Sequence, residues 1–397
     1  MLTAWSISCS SQNNPHLRSI LLGSDVFFTK SGASHFNDSI TDRLVKIFDR
    51  AGAGSIIKEK SLVAIKAHFG EPGNISFVSP LFYRAIADRV RICGGNPFIC
   101  DTNTLYVGGR NNAVKHAETA VKHGFSFATV NAPVIIGDGL LGTDFVEVEV
   151  NKTHVKKAKI GSAFYWADAM IVVSHVKGHM MTGMGGAIKN IGMGCAARGG
   201  KQEQHSGASP KINSEMCAAC RECLEWCGFS AIETDEETGR ARINTDKCSG
   251  CGECLAVCRF DAISSKWDTG LDAMQEKMAE YALAAVLNKK NRVFYINFLL
   301  NITPECDCIP STDGFLTPDI GIMASFDPVA LDYASAEMIN RTKPVMHNIE
   351  GKKNYDMKHA ESDKFRMAHP ETNWKKHIEH AEKIGLGSRE YDIIEVE

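Results

Sequence analysis

Short apolar, β-rich runs recur along this chain, and each stops where polar residues begin: Ser61–Lys66 (SLVAIK), Pro97–Asp101 (PFICD) and Ala169–Ser174 (AMIVVS). Runs this short, without in–out alternation, read as strands of a covered parallel sheet. Between them the spacing predicts helices over Asp38–Ala51 and Ser79–Cys93, the second closed by the stop signal Gly94-Gly95. Strands alternating with helices predict an α/β fold, a mostly parallel sheet with helices on both faces. The rhythm holds from about Val26 to Ala197 and breaks off. It resumes after Trp267 with a helix over Leu271–Leu287, strands at Val293–Leu299 (VFYINFL) and Asp319–Ala324 (DIGIMA), and a helix over Pro328–Ile339. Asp327, just ahead of Pro328, reads as that helix's cap.

The interruption holds eight of the fourteen cysteines, in two copies of Cys-x-x-Cys-x-x-Cys-x-x-x-Cys. One copy is Cys217, Cys220, Cys223 and Cys227; the other is Cys248, Cys251, Cys254 and Cys258. Each is followed by Ala-Ile (Ala231-Ile232, Ala262-Ile263), which makes an internal repeat. Bacterial ferredoxins hold two 4Fe–4S clusters with this spacing: three close thiolates serve one cubane and the fourth reaches the other. By that rule Cys217, Cys220, Cys223 and Cys258 hold one cluster, and Cys248, Cys251, Cys254 and Cys227 the other. Two zinc sites fit less well, because tetrahedral zinc is normally approached by cysteine pairs from separate elements. The proline that usually follows the fourth cysteine is Gly228 in one copy and Arg259 in the other.

The expected organisation is therefore a poorly ordered extension over residues 1–22, an α/β domain over 23–207, and a small α+β ferredoxin-type insertion over 208–268. A C-terminal segment over 269–397 completes the α/β unit. A Gly-, Ser- and Lys-rich linker, Arg198 to Lys211, leads into the insertion, which ends near Lys266.

Charge and composition mainly exclude. A net charge of −3 gives no bulk attraction to nucleic acid or anionic lipid. No apolar run approaches the roughly 18 to 20 residues of a membrane span. Residues 1–22 lack the basic start and apolar core of a secretory signal. Fourteen cysteines in an unexported chain imply reduced thiols and metal ligands rather than disulfides, in an oxygen-poor cytoplasm.

Open parallel sheets carry their chemistry in loops after the strand carboxyl ends. The first such loop here is Lys66-Ala67-His68-Phe69-Gly70-Glu71-Pro72-Gly73-Asn74, where Gly70 and Gly73 leave backbone amides bare for an anion beside Glu71 and Asn74. An ordinary tight turn is the alternative. The second holds Asp101, with Tyr106 and Arg110 beyond; the acid is equally a ligand for a hydroxyl or metal and a helix cap. The third, Ser174 to Gly192, concentrates His175, Lys177, His179, Lys189 and Asn190 with a glycine-rich turn at Gly185-Gly186. Glycine at a strand end lets the main chain close on a ligand. The fourth, Asn297 to Gly314, carries Cys306 and Cys308, a redox pair or metal ligands or neither. Cys9, Cys93, Cys100 and Cys195 read as structural.

Several of these segments carry a resemblance. Gly70-Glu71-Pro72-Gly73-Asn74, the run from His179 through Gly186-Ala187-Ile188-Lys189-Asn190, the paired cysteine motifs and Phe326-Asp327-Pro328-Val329-Ala330-Leu331-Asp332 resemble an uncharacterised iron–sulfur family, domain of unknown function 362. The resemblance spans about residues 23 to 340. It implies α/β architecture with a ferredoxin insertion but no settled reaction. A more distant similarity is to the nickel-pincer lactate racemases. There a histidine precedes a glycine-rich turn and a cofactor-tethering lysine by the His179-to-Lys189 interval, with the glycine pair displaced by one residue and no iron–sulfur module. That similarity implies a two-lobed cleft more than nickel chemistry.

Two readings follow. In an oxidoreductase, electrons pass between the clusters and a substrate or cofactor in the cleft, with a redox partner protein or small molecule as donor or acceptor. His179 and His175 then supply protons, Lys189 and Lys177 hold an anion, and Gly70, Glu71, Gly73, Asn74, Gly185, Gly186 and Asn190 line the binding loops. No Gly-x-Gly-x-x-Gly fingerprint follows a strand, so a flavin, deazaflavin or other small anionic cofactor is the candidate. In the other reading the protein is an electron carrier with a docking body. A racemase- or lyase-like reaction at Lys189, with structural clusters, is a third. The amount of chain devoted to loops dense in functional side chains favours an enzyme.

Overall fold

The computed structural model describes residues 23–32, 38–205, 209–248, 250, 252–264, 270–312, 314–349, 352 and 355–397. The extension over 1–22 with Cys9, the predicted ligand Cys251 and the predicted end of the insertion near Lys266 lie outside the described residues.

One eight-stranded sheet organises the chain, in the order Tyr391–Glu395, Ser24–Lys30, Gly321–Ser325, Val293–Leu299, Ala169–His175, Leu62–Lys66, Asn96–Asp101, Val134–Ile136. Strand Gly321–Ser325 runs antiparallel to both its neighbours; every other pairing is parallel. The strands from both sides of the cysteine region thus share one sheet, with Val293 opposite Met170 and Phe298 opposite His175.

The uninterrupted apolar runs follow from burial on both faces. In Ala169–His175, Ala169, Ile171 and Val173 join one apolar cluster while Met170 and Val172 join the other. In Val293–Leu299 the same split separates Phe294, Ile296 and Phe298 from Val293, Tyr295 and Leu299. Helices Ile40–Arg50 and Pro80–Ile92 cover the first face through Leu44, Ile47, Phe48, Tyr83 and Ile86. Helices Ala187–Gly192, Leu271–Val286 and Pro328–Arg341 cover the second through Ile188, Tyr281 and Leu331. Truncating such a core side chain costs about 2–5 kcal/mol.

Helix boundaries follow their caps. Ser39 and Asp42 form a capping box, so the first helix begins at Ile40 rather than Asp38. Asp38 instead pairs with Arg43. The helix predicted to Leu287 ends at Val286, where a tighter 3₁₀ turn takes over. Asp327 caps its own helix by accepting from Val329 N–H at 2.8 Å and Ala330 N–H at 3.1 Å.

The linker reading needs correction. Arg198–His205 is a helix whose Arg198, Lys201, Gln202 and Gln204 are buried. Two of its basic side chains find tertiary partners: Arg198 donates to the Ala256 carbonyl at 2.7 Å, and Lys201 Nζ donates to Thr102 Oγ1 and the Ala196 carbonyl. Polar composition suggests solvent only when such partners are absent.

The cysteine region folds as two short antiparallel pairs, Lys211–Ile212 with Ile263–Ser264 and Ile232–Thr234 with Ala241–Ile243, and two short helices, Glu222–Glu225 and Glu253–Val257. Left-handed backbone recurs at matching positions of the two copies: Ala219 and Gly250, Arg221 and Gly252, Ser230 and Asp261. The sequence repeat is therefore also a conformational one. Ala219 and Arg221, which are not glycine, hold this unfavourable geometry (φ 56° and 64°) between cysteines.

Candidate active site and cysteine module

Four adjacent, mutually parallel strands, Val293–Leu299, Ala169–His175, Leu62–Lys66 and Asn96–Asp101, send their carboxyl ends to the same edge of the sheet. The four loops singled out from the sequence meet there around a cavity of about 470 Å³, within the usual ligand-pocket range. His68, Asp101, Tyr106, Arg110, His175, Lys177, His179, Gly185, Gly186, Lys189, Asn190, Cys306 and Cys308 line it.

After Ala169–His175 the chain forms a tight hairpin, Lys177–His179 with Gly183–Gly185, then helix Ala187–Gly192. The hairpin packs on the fourth loop: Gly178 N–H donates to Thr303 O at 2.8 Å, and a Cβ on Gly178 would run into the Pro304 carbonyl. Asp332 holds the helix start by accepting from Ala187 N–H at 2.7 Å and Ile188 N–H at 2.9 Å, while Asn297 Nδ2 donates to it at 2.8 Å. Asp332 thus caps a helix other than its own, the one carrying Lys189 and Asn190. Asn190 spans the floor, donating to Val173 O and Ser174 Oγ and accepting from Lys66 Nζ at 2.8 Å. Lys66, fully buried, also pairs with Asp101 at 3.0 Å. Burial opposes the Asp101 charge, but Lys66 and His116 outweigh it and hold the carboxyl well below its usual range.

Asp307 lies between the two cysteines of the fourth loop and is fully buried. It meets His175 Nδ1 at 2.9 Å, Lys177 Nζ at 3.1 Å and the Ser76 hydroxyl at 3.2 Å. His175 Nε2 meanwhile faces the carbonyls of Leu300 and Asn301, at 2.9 and 3.1 Å. Both nitrogens of His175 are engaged, which makes it a brace between loops. Burial opposes the Lys177 charge, yet Asp307 and Cys306 raise its pKa, so it stays cationic.

His179 differs. Its Nδ1 accepts from Met181 and Thr182 N–H at 3.1 and 3.2 Å, which leaves the neutral ring's proton on Nε2. Burial, helped by Lys189, pushes its pKa well down. Lys189 Nζ lies 3.8 Å from Cys306 Sγ, and the sulfurs of Cys306 and Cys308 are 3.1 Å apart. The shared hydrogen with Cys308, against burial and with help from Lys189 and Lys177, holds the Cys306 thiol well below its ordinary pKa. Cys308 Sγ is 3.4 Å from His68 Nε2. Among the described residues, His68, Cys306 and Cys308 are the group whose donor atoms lie within 4.8 Å of one another, close enough to share an ion.

Gly70, Glu71, Gly73 and Asn74 do not line the cavity. Gly70 N–H donates to His68 Nδ1 at 3.2 Å and Glu71 N–H to Asp307 O at 2.8 Å. Gly73 passes against the Pro310 carbonyl, and Asn74 Nδ2 reaches Ile309 O and Ser311 O, each at 3.3 Å. Glu71 Oε2 accepts from Arg110 Nε at 3.0 Å and from the Tyr106 hydroxyl at 3.2 Å. This loop buttresses the cysteine-bearing fourth loop from behind. Lys201 and His205, absent from the sequence-based candidates, also line the cavity from the misread linker. No local pattern marks them, since both are polar residues in a polar stretch. Asp307 had a signal, an acid flanked by two cysteines.

In the cysteine module, Cys217, Cys227, Cys248 and Cys258 are half-buried, Cys220 is exposed, and Cys223 and Cys254 are buried. Burial together with the neighbouring Cys258, Cys220 and Cys217 pushes the Cys223 thiol up to about 11. Cys227, Cys248 and Cys254 line a separate small depression with Ile232 and Gly252. Cys223, Cys254, Leu255, Val257 and Ile263 form one apolar cluster, which Leu105 also joins.

The fold and cavity define an α/β protein with a thiol-bearing pocket, lined by both basic and acidic side chains, at the carboxyl ends of its parallel strands. The chain belongs to the family described as Domain of unknown function (DUF362), whose model matches residues 63–337. No curated protein matches it. Among solved structures it is similar to the lactate racemase apoprotein from Thermoanaerobacterium thermosaccharolyticum, at 12% identity and a TM-score of 0.34, over 70% of this chain and 51% of that one. The chain thus spans about half of that protein, a likeness too distant to carry an argument about chemistry. No described helix is long and apolar enough to cross a membrane.

Proposed function

We propose that this protein holds two 4Fe–4S clusters and passes electrons between them and a small anionic molecule bound in the cavity. One observation carries the reading. Leu105 lines the cavity and also packs in the apolar cluster of Cys223 and Cys254, so the two sites share a wall. Helix Arg198–His205 reinforces that wall: Lys201 and His205 face the cavity, and Gly252 lies against Gln202. Lys159 pairs with Glu253 of the cysteine module at 2.6 Å.

Cys217, Cys220, Cys223 and Cys258 suit one cluster: the three neighbours that act on the Cys223 thiol are the other members of that set. Cys227, Cys248 and Cys254 gather separately, and with Cys251 they suit the second. Such clusters supply one-electron transfer over potentials of roughly −700 to +450 mV. Of the basic groups lining the cavity, Lys177 and Arg110 are already paired with Asp307 and Glu71. Lys189 and Lys201 have no carboxylate within ion-pair distance among the described residues, which favours an anionic ligand beside those two. Lys177, His179 and Lys189 all line the cavity, and the neutral His179 ring carries its proton on Nε2, available to a bound ligand. A flavin, deazaflavin or comparable anion fits the cavity's volume. The thiol content suits a reducing cytoplasm.

The test is made on anaerobically purified protein: iron and sulfide content, with mass spectrometry of whatever small molecule denaturation releases. About eight irons with a stoichiometric cofactor supports a redox enzyme. About eight irons and no released molecule favours the carrier reading, in which the α/β body only docks partners. Fewer than about six irons in fresh protein refutes the two-cluster assignment.

A further inference from the structure

We propose that His68, Cys306 and Cys308 form a mononuclear site for a zinc-class, thiolate-preferring divalent ion whose fourth coordination position opens into the cavity. The site goes beyond the electron-transfer reading and stands without it, because none of its ligands belongs to the cysteine repeats.

The donor set comes first. Two thiolates and one imidazole select borderline-soft ions over magnesium or calcium, which want oxygen. Three protein ligands with a vacant fourth direction are the arrangement of catalytic zinc, whereas structural zinc is closed by four. All three side chains line the cavity, so the fourth direction faces into it.

The distances come second. Tetrahedral zinc with Zn–S of about 2.3 Å and Zn–N of about 2.0–2.1 Å sets sulfurs about 3.8 Å apart and sulfur from nitrogen about 3.6 Å apart. Here the sulfurs are 3.1 Å apart, and Cys308 Sγ is 3.4 Å from His68 Nε2. Accepting the ion requires the two thiols to part by about 0.7 Å and the histidine to move less. Small thiol rotations supply that.

The surroundings come third. Asp307, between the two cysteines, is held by His175, Lys177 and Ser76 and does not line the cavity. Cys306 to Ile309 form a tight turn closed by Ile309 N–H donating to Cys306 O at 2.9 Å, and the turn brings both thiols to the cavity while Asp307 is anchored behind it. The hydrogen bond from Glu71 N–H to Asp307 O ties the His68 loop to the cysteine loop behind the cavity wall. Lys189 Nζ, 3.8 Å from Cys306 Sγ, is an outer-shell donor to a thiolate ligand. There is also a cost. Gly70 N–H points at His68 Nδ1 and Arg110 Nη1 lies 3.2 Å from Nε2. Ligation through Nε2 moves the ring proton to Nδ1 and displaces both contacts, while Arg110 keeps Glu71 and Tyr106.

The experiment uses the full chain purified anaerobically and titrated with Zn²⁺, read by metal analysis and by zinc-edge X-ray absorption, to which cluster iron contributes nothing. The expected result is one zinc per chain with two sulfur neighbours and one nitrogen neighbour at the distances above. The double variant Cys306→Ser/Cys308→Ser and, separately, His68→Ala should weaken zinc binding at least about a hundredfold, since losing an outer-shell partner alone costs 10–100-fold. Iron content and far-UV circular dichroism of each variant show that the fold survives; where one variant fails to fold, the other decides. A chain with about eight irons and no zinc in this shell refutes the site and leaves the clusters standing. Zinc bound equally well by both folded variants also refutes it. Zinc in the two-sulfur, one-nitrogen shell without iron upholds the site and sinks the cluster assignment instead.

Discussion

Replacing Arg110 by methionine tests whether the loops around the cavity are clamped by one buried ion pair. Arg110 is 1% exposed and its partner Glu71 6%. The guanidinium donates to Glu71 through Nε at 3.0 Å and to the Tyr106 hydroxyl through Nη2 at 2.6 Å. Arg110→Met fills similar volume but leaves the Glu71 carboxylate in a dry site. Breaking a buried pair from one side costs about 3–5 kcal/mol. Glu71 keeps the Tyr106 hydroxyl and the Gly109 N–H, which sets the loss nearer about 3 kcal/mol than 5. At an unfolding entropy of about 2.1 cal/mol/K per residue over 397 residues, a loss of 3–5 kcal/mol lowers Tm by about 4–6 °C. The assay is thermal unfolding by far-UV circular dichroism at one fixed scan rate. Adding Glu71→Gln to the variant removes the orphaned charge and should restore at least about 1 kcal/mol, a non-additivity expected of residues in contact. A single variant within about 1 °C of the parent, or a double variant no more stable than the single, would refute the clamp.

Gly186→Ala places a methyl against the Asp332 carboxylate that holds helix Ala187–Gly192; it should cost about 1–3 kcal/mol in urea unfolding, and no change would mean that helix is not anchored there. Burial opposes the Glu276 charge, but hydrogen bonds from His154 and Lys376 and the charge of His380 outweigh it, lowering its pKa from 4.5 to about 2. Because the folded pKa is depressed, this stabilisation is fully present above the unfolded value and is lost as pH falls through about 2. Glu276→Gln should therefore lose about 1 kcal/mol near neutrality, the shift being discounted for solvent screening at this partly exposed site, and the loss should shrink towards pH 2, as urea midpoints across that range would read. Equal losses at both ends would overturn the pairing. Cys223→Ala and Cys254→Ala should each lower iron from about eight to about four per chain, since they belong to different proposed clusters; unchanged iron in both would sink the ligand sets.

Much of the fold was legible because its signals are local. Val293–Leu299 and Ala169–His175 announce themselves as strands because both faces of a parallel sheet are covered and every residue in them is apolar or buried. The cysteine repeat is equally local, since its ligand spacing spans eleven residues per copy. Legibility ends where a side chain's partner is distant in sequence. Arg198–His205 reads as a solvated linker until Thr102, Ala196 and Ala256 supply its hydrogen bonds. The loop from His68 to Asn74 offers an anion site or an ordinary turn on its sequence alone, and only the structure supplies the partners of Glu71 and Asn74: Arg110, Tyr106 and the carbonyls of Ile309 and Ser311.

The amino-acid sequence by itself determined the α/β rhythm, the four loops that bear chemistry and the paired cysteine motifs, because periodicity and ligand spacing are properties of neighbouring residues. Only the tertiary structure decided which of those loops face one cavity and which stand behind it. It brought His68 to Cys308, Lys189 to Cys306 and Asp332 to the start of a helix it does not belong to. The reason is that strand order, not sequence distance, determines which strand ends are adjacent, and a buried polar group takes whatever partner that order delivers.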